Sequence, residues 1–187
     1  MENIKKRFLS KFPSKQEIPP VFSSISFIFF SWSLYRMFWQ VPSWLYYLNV
    51  WDVLILAAYV VSFALFESLV VLIFLLFLAF ILPARWFKDK FAIQGSTAAV
   101  LIGIGAVALQ RKIGVIYKLE IWQILAFPVL ALILLTVLTV AAAYIFKRFP
   151  ILARLAANLA DRMTVFAYIY VPLGLLGLAV VIWRNIF

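Results

Sequence analysis

The chain has 187 residues, of which 67% are hydrophobic and 13% charged, with a net charge of +10 and a mean hydropathy of +1.08. It is too apolar for an ordinary soluble domain and is typical of a membrane protein with little mass outside the bilayer. The sequence contains no Cys and no His, which excludes disulfides, thiol catalysis, thiolate metal sites, axial haem histidines and histidine-dependent triads. The basic residues flank apolar segments, where they set topology, so they do not indicate nucleic-acid binding.

Residues 1–18 form a basic flank. Ile4, Phe8 and Phe12 fall on one face of a helix and are surrounded by basic residues: Lys5, Lys6, Arg7, Lys11 and Lys15. We interpret the segment as a cytoplasmic flank that determines orientation. An interfacial helix on an anionic leaflet is the alternative.

Five apolar segments follow the flank, each long enough to predict a membrane-spanning helix. The predicted spans cover about 20–39, 52–82, 91–109, 121–146 and 163–183. Gln40–Trp51 is aromatic and lacks Lys and Arg, as expected for an aromatic belt on the outer side. Lys147–Arg162 is predicted to be the longest loop, with an amphipathic stretch in the interface. The prediction is an all-α polytopic bundle that forms a single domain over residues 19–187.

The distribution of basic residues predicts the orientation of this bundle. The flank, second loop and fourth loop hold twelve Lys and Arg, against four on the other side, or five with Arg36. The positive-inside rule therefore predicts a cytoplasmic N-terminus and an outside C-terminus. We expect a multi-pass protein of a cell membrane, specifically a bacterial inner membrane.

Glu67 is the only acidic or basic residue (Asp, Glu, Lys or Arg) between Val53 and Leu82. An ionisable group near the centre of a span costs on the order of 3 kcal/mol on insertion scales. We therefore expect Glu67 to be buried between helices, mainly protonated, and hydrogen-bonded to a neighbouring helix. Proton relay or cation binding is the functional alternative.

Two further polar positions lie within the predicted spans. Arg36 stands near the outer end of the first span, where its long side chain can reach the headgroups. Pro172 cannot donate to the carbonyl oxygen of Tyr168, which makes that oxygen a second intramembrane polar site. The other carboxylates outside the flank are interpreted as helix N-terminal caps: Asp52, Asp89, Glu120 and Asp161. No phosphate loop, paired catalytic carboxylates or metal-ligand spacing is present, so no cofactor and no metal are expected.

The third span has a face of small residues. Gly95, Ala99 and Gly103 recur every four residues, which favours close packing against another helix. The alternative is a cavity lined by polar residues of the same span: Gln94, Ser96 and Thr97.

Five spans, a cytoplasmic N-terminus and an aromatic first outer loop resemble the membrane domain of lipoteichoic-acid-synthase-type envelope proteins. The closing stretch Leu159–Phe187, LADRMTVFAYIYVPLGLLGLAVVIWRNIF, is also similar to the end of small bacterial membrane proteins associated with sulfatase-like enzymes. In that family a sulfatase-fold domain follows the fifth helix. The residues up to Phe187 contain no counterpart of it, so the resemblance assigns no catalytic residue.

Two functions remain open from the sequence. The first is a non-catalytic membrane module that anchors or assists an envelope enzyme acting on lipid or polysaccharide. The second is a small transporter or ion-conducting subunit that uses Glu67. In both, the lipid bilayer is the expected partner, and for the first an envelope enzyme is expected as well.

Overall fold

The described part of the chain consists of α-helices connected by short segments. A computed structural model describes residues 13–81, 91–111 and 121–186, and these ranges contain no β-strand. The helices are α1 (Ile18–Trp44), α2 (Val50–Ile81), α3 (Phe91–Arg111), α4 (Ile121–Arg148) and α5 (Pro150–Ile186). The predicted all-α fold is confirmed.

Four of these helices are long and apolar enough to cross a membrane: α1, α2, α5 and the Phe91–Ala108 part of α3. In α4 the described apolar stretch is shorter, Ile133–Phe146. Many large apolar side chains on these helices are exposed, which a helix in contact with lipid tolerates because the acyl chains are as apolar as leucine. The chain is therefore a multi-pass membrane protein.

Helix α1 is packed between α2, α3 and α5, and it runs parallel to α3. A Cβ atom added to Gly95 would lie 2.8 Å from Cγ2 of Val21, and one added to Gly103 would collide with Ile28. Ala99, between the two glycines, is fully buried. The small-residue face of α3 therefore lies directly against α1, which brings the two backbones close together.

The polar residues of α3 are involved in the same contact. Ser24 of α1 donates a hydrogen bond to Ser96 Oγ at 3.1 Å, and Thr97 donates to the Ile93 carbonyl at 2.8 Å. Gln94 is buried, and its Oε1 has no hydrogen-bond partner among the described residues. Of the three groups suggested for a polar cavity, Ser96 is thus satisfied by a residue of α1 and Thr97 by its own helix.

Helix α5 also packs closely, and this contact was not predicted. A Cβ atom on Gly177 would lie 2.5 Å from Val61 Cγ2 and 2.7 Å from the Ala58 carbonyl oxygen, while one on Gly174 would lie 2.9 Å from Leu65 Cβ. Gly174 contacts Leu65 and Gly177 contacts Val61. Residue numbers therefore rise along α5 where they fall along α2, so the two helices are antiparallel. At Gly177 the backbone of α5 lies against the backbone of α2, whereas Gly95 and Gly103 of α3 face side chains of α1. A larger residue is therefore harder to accommodate at Gly177 than at the α1–α3 contact.

The prediction of a loop at Lys147–Arg162 is wrong. Helix α4 extends to Arg148, and α5 begins at Pro150 and continues without interruption to Ile186. Proline is suited to a first helical turn, and apolar residues then recur every four positions at Ile151, Leu155 and Leu159. Asp161 consequently lies inside α5 and does not cap it.

The other helix ends differ less from expectation. Helix α1 continues past Gln40 through Pro42 to Trp44. Because Pro42 lies near the end of the helix, the hydrogen bond that it cannot donate is lost only from the last turns. Asp52 lies in the first turn of α2 and accepts a hydrogen bond from the Asn49 N–H at 3.4 Å. Three predictions lie outside the described residues, namely those for positions 1–12, Asp89 and Glu120.

The parallel directions of α1, α3 and α5 lead to a test of topology. Because α1 and α5 run the same way, the start of α1 and the end of α5 lie at opposite ends of the bundle. With a cytoplasmic N-terminus, alkaline phosphatase fused at the C-terminus should be active and a fluorescent protein fused there should be dark. The same pair of reporters inserted in the α1–α2 connection should give the same result. A fluorescent C-terminal fusion would show that the predicted orientation is reversed.

Candidate functional site

A groove between α1 and α2 is lined by two charged side chains, Arg36 and Glu67. On α1 its lining runs from Phe29 to Trp44, and on α2 from Glu67 to Leu56, with Gln110 of α3 on one side. Its volume is about 600 Å³. It occupies the half of the bundle toward the end of α1, which is the half predicted to face outside.

The groove forms because the apolar core is concentrated elsewhere. One core cluster joins the beginning of α1, including Val21 and Ile25, to the end of α2 and to α3. The second joins Phe30 to Val61 and Leu65. Beyond Phe30, Met37 is the only buried residue of α1, and the space between α1 and α2 stays partly unfilled.

Arg36 lies in the half of this groove nearer the end of α1. It also lines a smaller cavity of about 200 Å³, together with Trp32, Tyr35, Trp39 and Gln110. No carboxylate of the described residues lies within 4.0 Å of its guanidinium. A guanidinium has five donors in a planar fork that suits carboxylate and phosphate oxygens. Arg36 is therefore available to bind an anionic group that enters the groove.

Trp32 forms one wall of the groove, and a hydrogen bond holds it in place. Its Nε1 donates to Gln110 Oε1 at 2.8 Å, which links α1 to the end of α3. Trp32 also lines a second cavity of about 680 Å³ between α1 and α3, with apolar residues around Gly103. The indole therefore borders both an apolar space and the groove that contains Arg36 and Glu67.

The expectation that Glu67 is buried between helices is wrong. Its side chain is exposed and lines the groove, and no ion pair or hydrogen bond to it forms within the described residues. The neighbouring hydroxyls of Ser62 and Ser68 donate to carbonyls of their own helix, at 2.6 and 2.7 Å. Helix α2 is apolar on every side, so the sequence carries no sign of which way Glu67 points.

Arg36 and Glu67 share one groove but lie at different depths. Because α1 and α2 are antiparallel, Glu67 and Phe29 both line the end of the groove farther from Trp44, and Arg36 follows Phe29 by seven residues, or about 10 Å along the helix axis. The sequence predicted this difference in depth, but it did not predict that both charges would line the same space.

The third predicted polar site is elsewhere in the structure. The Tyr168 side chain is 78% exposed on α5 and is not part of the groove. Its neighbour Tyr170 instead packs inward, where its ring stacks on Phe30 with centroids 5.1 Å apart. The structure therefore brings Arg36 and Glu67 together and leaves Tyr168 apart.

Two groove residues were missed in the sequence. Gln40 follows Arg36 by one helical turn, so the two residues lie on the same face of α1. This spacing could have predicted that Gln40 lines the same site as Arg36. Gln110 lies on another helix, and nothing in the sequence connects it to Trp32. No cluster of three or more His, Cys, Asp or Glu residues that could hold a metal ion occurs in the described ranges.

Comparison of the chain with protein-family models, curated proteins and solved structures gives no match.

Proposed function

We propose that this chain is a non-catalytic module of a bacterial inner membrane that assists an envelope enzyme acting on lipid or polysaccharide. In this role the groove holds a lipid with an anionic headgroup for the enzyme. The five-helix layout, which resembles the membrane domain of lipoteichoic-acid-synthase-type proteins, is the reason for choosing an envelope enzyme as the partner. A cell-membrane location with a cytoplasmic N-terminus belongs to the same proposal.

The observation that carries the proposal is the unpaired Arg36 in a groove with apolar and aromatic walls. Arg36 lies eight residues before the end of α1, about 12 Å along the axis, so a headgroup can reach it from the outer surface. The acyl chains would then lie against the apolar residues that border the groove. Gln40 adds a neutral hydrogen-bonding group one turn above the guanidinium, where headgroup hydroxyls would lie.

The experiment compares anionic and zwitterionic lipids on the purified full chain. Native mass spectrometry of protein released from nanodiscs should show that phosphatidylglycerol is retained in preference to phosphatidylcholine. Arg36→Gln should weaken this retention about tenfold, since a hydrogen bond to a charged group contributes roughly 1.5 kcal/mol or more.

Arg184→Gln is the matched control. Arg184 is a basic residue near the end of α5, toward the same side of the membrane, and it does not line the groove. Its replacement should leave lipid retention unchanged. An equal loss in both variants would mean that only net charge matters, and the groove would not be the lipid site.

A small transporter or ion-conducting subunit is the second candidate, because Glu67 lines the same groove as Arg36. This reading predicts a proton or cation flux in vesicles that Glu67→Gln abolishes while lipid retention stays normal. Such a flux would replace the module proposal.

A further inference from the structure

Helix α2 presents an exposed apolar seam beside Glu67. Five residues form it at alternating spacings of three and four: Phe63, Phe66, Val70, Ile73 and Phe77. Their exposed fractions run from 47% to 65%. This spacing is the pattern by which one helix packs along another in a left-handed pair. Glu67 lies immediately next to this seam.

The depth of Glu67 restricts what can neutralise or pair with its carboxyl. It lies 17 residues after Val50 and 14 before Ile81, about 25 and 21 Å from the two ends of α2. Half the thickness of a hydrocarbon core is about 15 Å. Lipid headgroups therefore stay far from this carboxyl, whereas a side chain on another helix can be placed at any depth.

The chain itself supplies no partner for Glu67 within the described residues. Arg36 lies two turns farther out on α1, and the hydroxyls of Ser62 and Ser68 are bonded to their own helix. Ionisable groups inside a membrane usually pair with one another, because an unpaired one is costly there. A basic side chain is the complement that an exposed carboxyl at this depth lacks.

We propose that the α2 seam with Glu67 is a docking surface for a transmembrane helix of a partner protein that carries a lysine or arginine near its centre. The apolar seam supplies the packing surface, and the carboxylate selects the partner by its charge. This inference rests on the proposed assisting role, for which it provides the contact with the enzyme. Phe63 and Glu67 also line the lipid groove, but the docking test reads Glu67 and the seam, whereas the lipid test reads Arg36.

The test uses the full chain in vesicles and synthetic helices as probes. Because the sequence contains no cysteine, a single Tyr47→Cys change at the exposed α1–α2 connection can carry an acceptor dye. The probe is a donor-labelled peptide of about 23 apolar residues with one lysine at its centre. Energy transfer should rise with peptide concentration and saturate. The affinity read from this curve should be about tenfold weaker when the lysine is replaced by leucine or moved to the peptide end.

Variants of α2 test the role of the carboxyl and of its position. Glu67→Leu and Glu67→Gln should each weaken binding of the lysine peptide about tenfold. Both should keep the melting temperature of the parent, because Glu67 has no partner in the described chain. The exchange Glu67→Leu with Leu69→Glu keeps the composition and almost the same depth, but it moves the carboxyl to the opposite side of α2, where Leu69 is also exposed. It should bind as weakly as Glu67→Leu.

Several results would overturn the docking proposal. These are parent-like binding by the exchange variant, energy transfer that does not depend on the lysine, or no binding at all. Displacement of the peptide by unlabelled parent chain would identify a second copy as the occupant and would also overturn it. If the parent chain does not bind the lysine peptide but still retains phosphatidylglycerol through Arg36, the docking proposal alone is rejected. The lipid experiment tests Arg36, and the docking experiment tests Glu67.

Discussion

Replacing Gly177 by leucine should separate α2 from α5 and lower the stability of the protein strongly. A Cβ atom at this position would lie 2.7 Å from the Ala58 carbonyl oxygen and 2.5 Å from Val61 Cγ2. Backbone atoms cannot move aside as a side chain can, so the helices themselves must shift. Overpacking of this kind typically costs about 1–3 kcal/mol, and the larger leucine should reach the upper end. Thermal unfolding in detergent and in nanodiscs measures the effect.

The matched control for Gly177 is another glycine inside a helix. A Cβ atom added to Gly105 of α3 has no atom within 4 Å, and leucine is a better helix former than glycine by almost 1 kcal/mol. Gly105→Leu should therefore be neutral or slightly stabilising. Equal losses in the two variants would contradict the close approach of α2 and α5.

Truncating Phe30 to alanine should be the most damaging apolar substitution at the centre of the bundle. Phe30 is fully buried, belongs to the core cluster with Val61 and Leu65, and stacks on Tyr170. The substitution leaves a cavity where α1, α2 and α5 meet. We expect a loss of about 3 kcal/mol, the lower end for phenylalanine, because in lipid the cavity matters more than transfer out of water.

Phe63 provides the comparison for Phe30 because it is a phenylalanine of similar depth with 63% of its surface exposed. Phe63→Ala removes the same atoms but leaves no enclosed cavity, so the melting temperature should change little. A loss as large as that of Phe30→Ala would mean that the exposed face of α2 is covered in the isolated protein. That result would also contradict the docking surface proposed for the seam.

The two charged residues Arg36 and Glu67 show what the sequence predicts and what it leaves open. Their depths followed from the sequence, since the position of a residue within an apolar run gives its height in the membrane. Their directions did not. Arg36 and Glu67 line one groove because of how α1 and α2 are rotated about their axes, and an apolar helix gives no periodic signal of its rotation.

The glycines show the same limit. The four-residue repeat at Gly95 and Gly103 indicated a packing face, and α1 lies against it. Gly174 and Gly177 are three residues apart and do not match that pattern, yet both pack against α2, and Gly177 lies against its backbone. Which small residues are used depends on the facing helix, here on the Ala58 carbonyl.

The sequence by itself determined the all-α class and the five apolar helices, because a long apolar run in a membrane must satisfy its backbone polar groups internally. Only the tertiary structure decided two further features: the groove beyond Phe30 and the exposure of Glu67. In both, an apolar helix gives no periodic signal of which side faces a neighbouring helix. Contacts between distant parts of the chain then selected one arrangement.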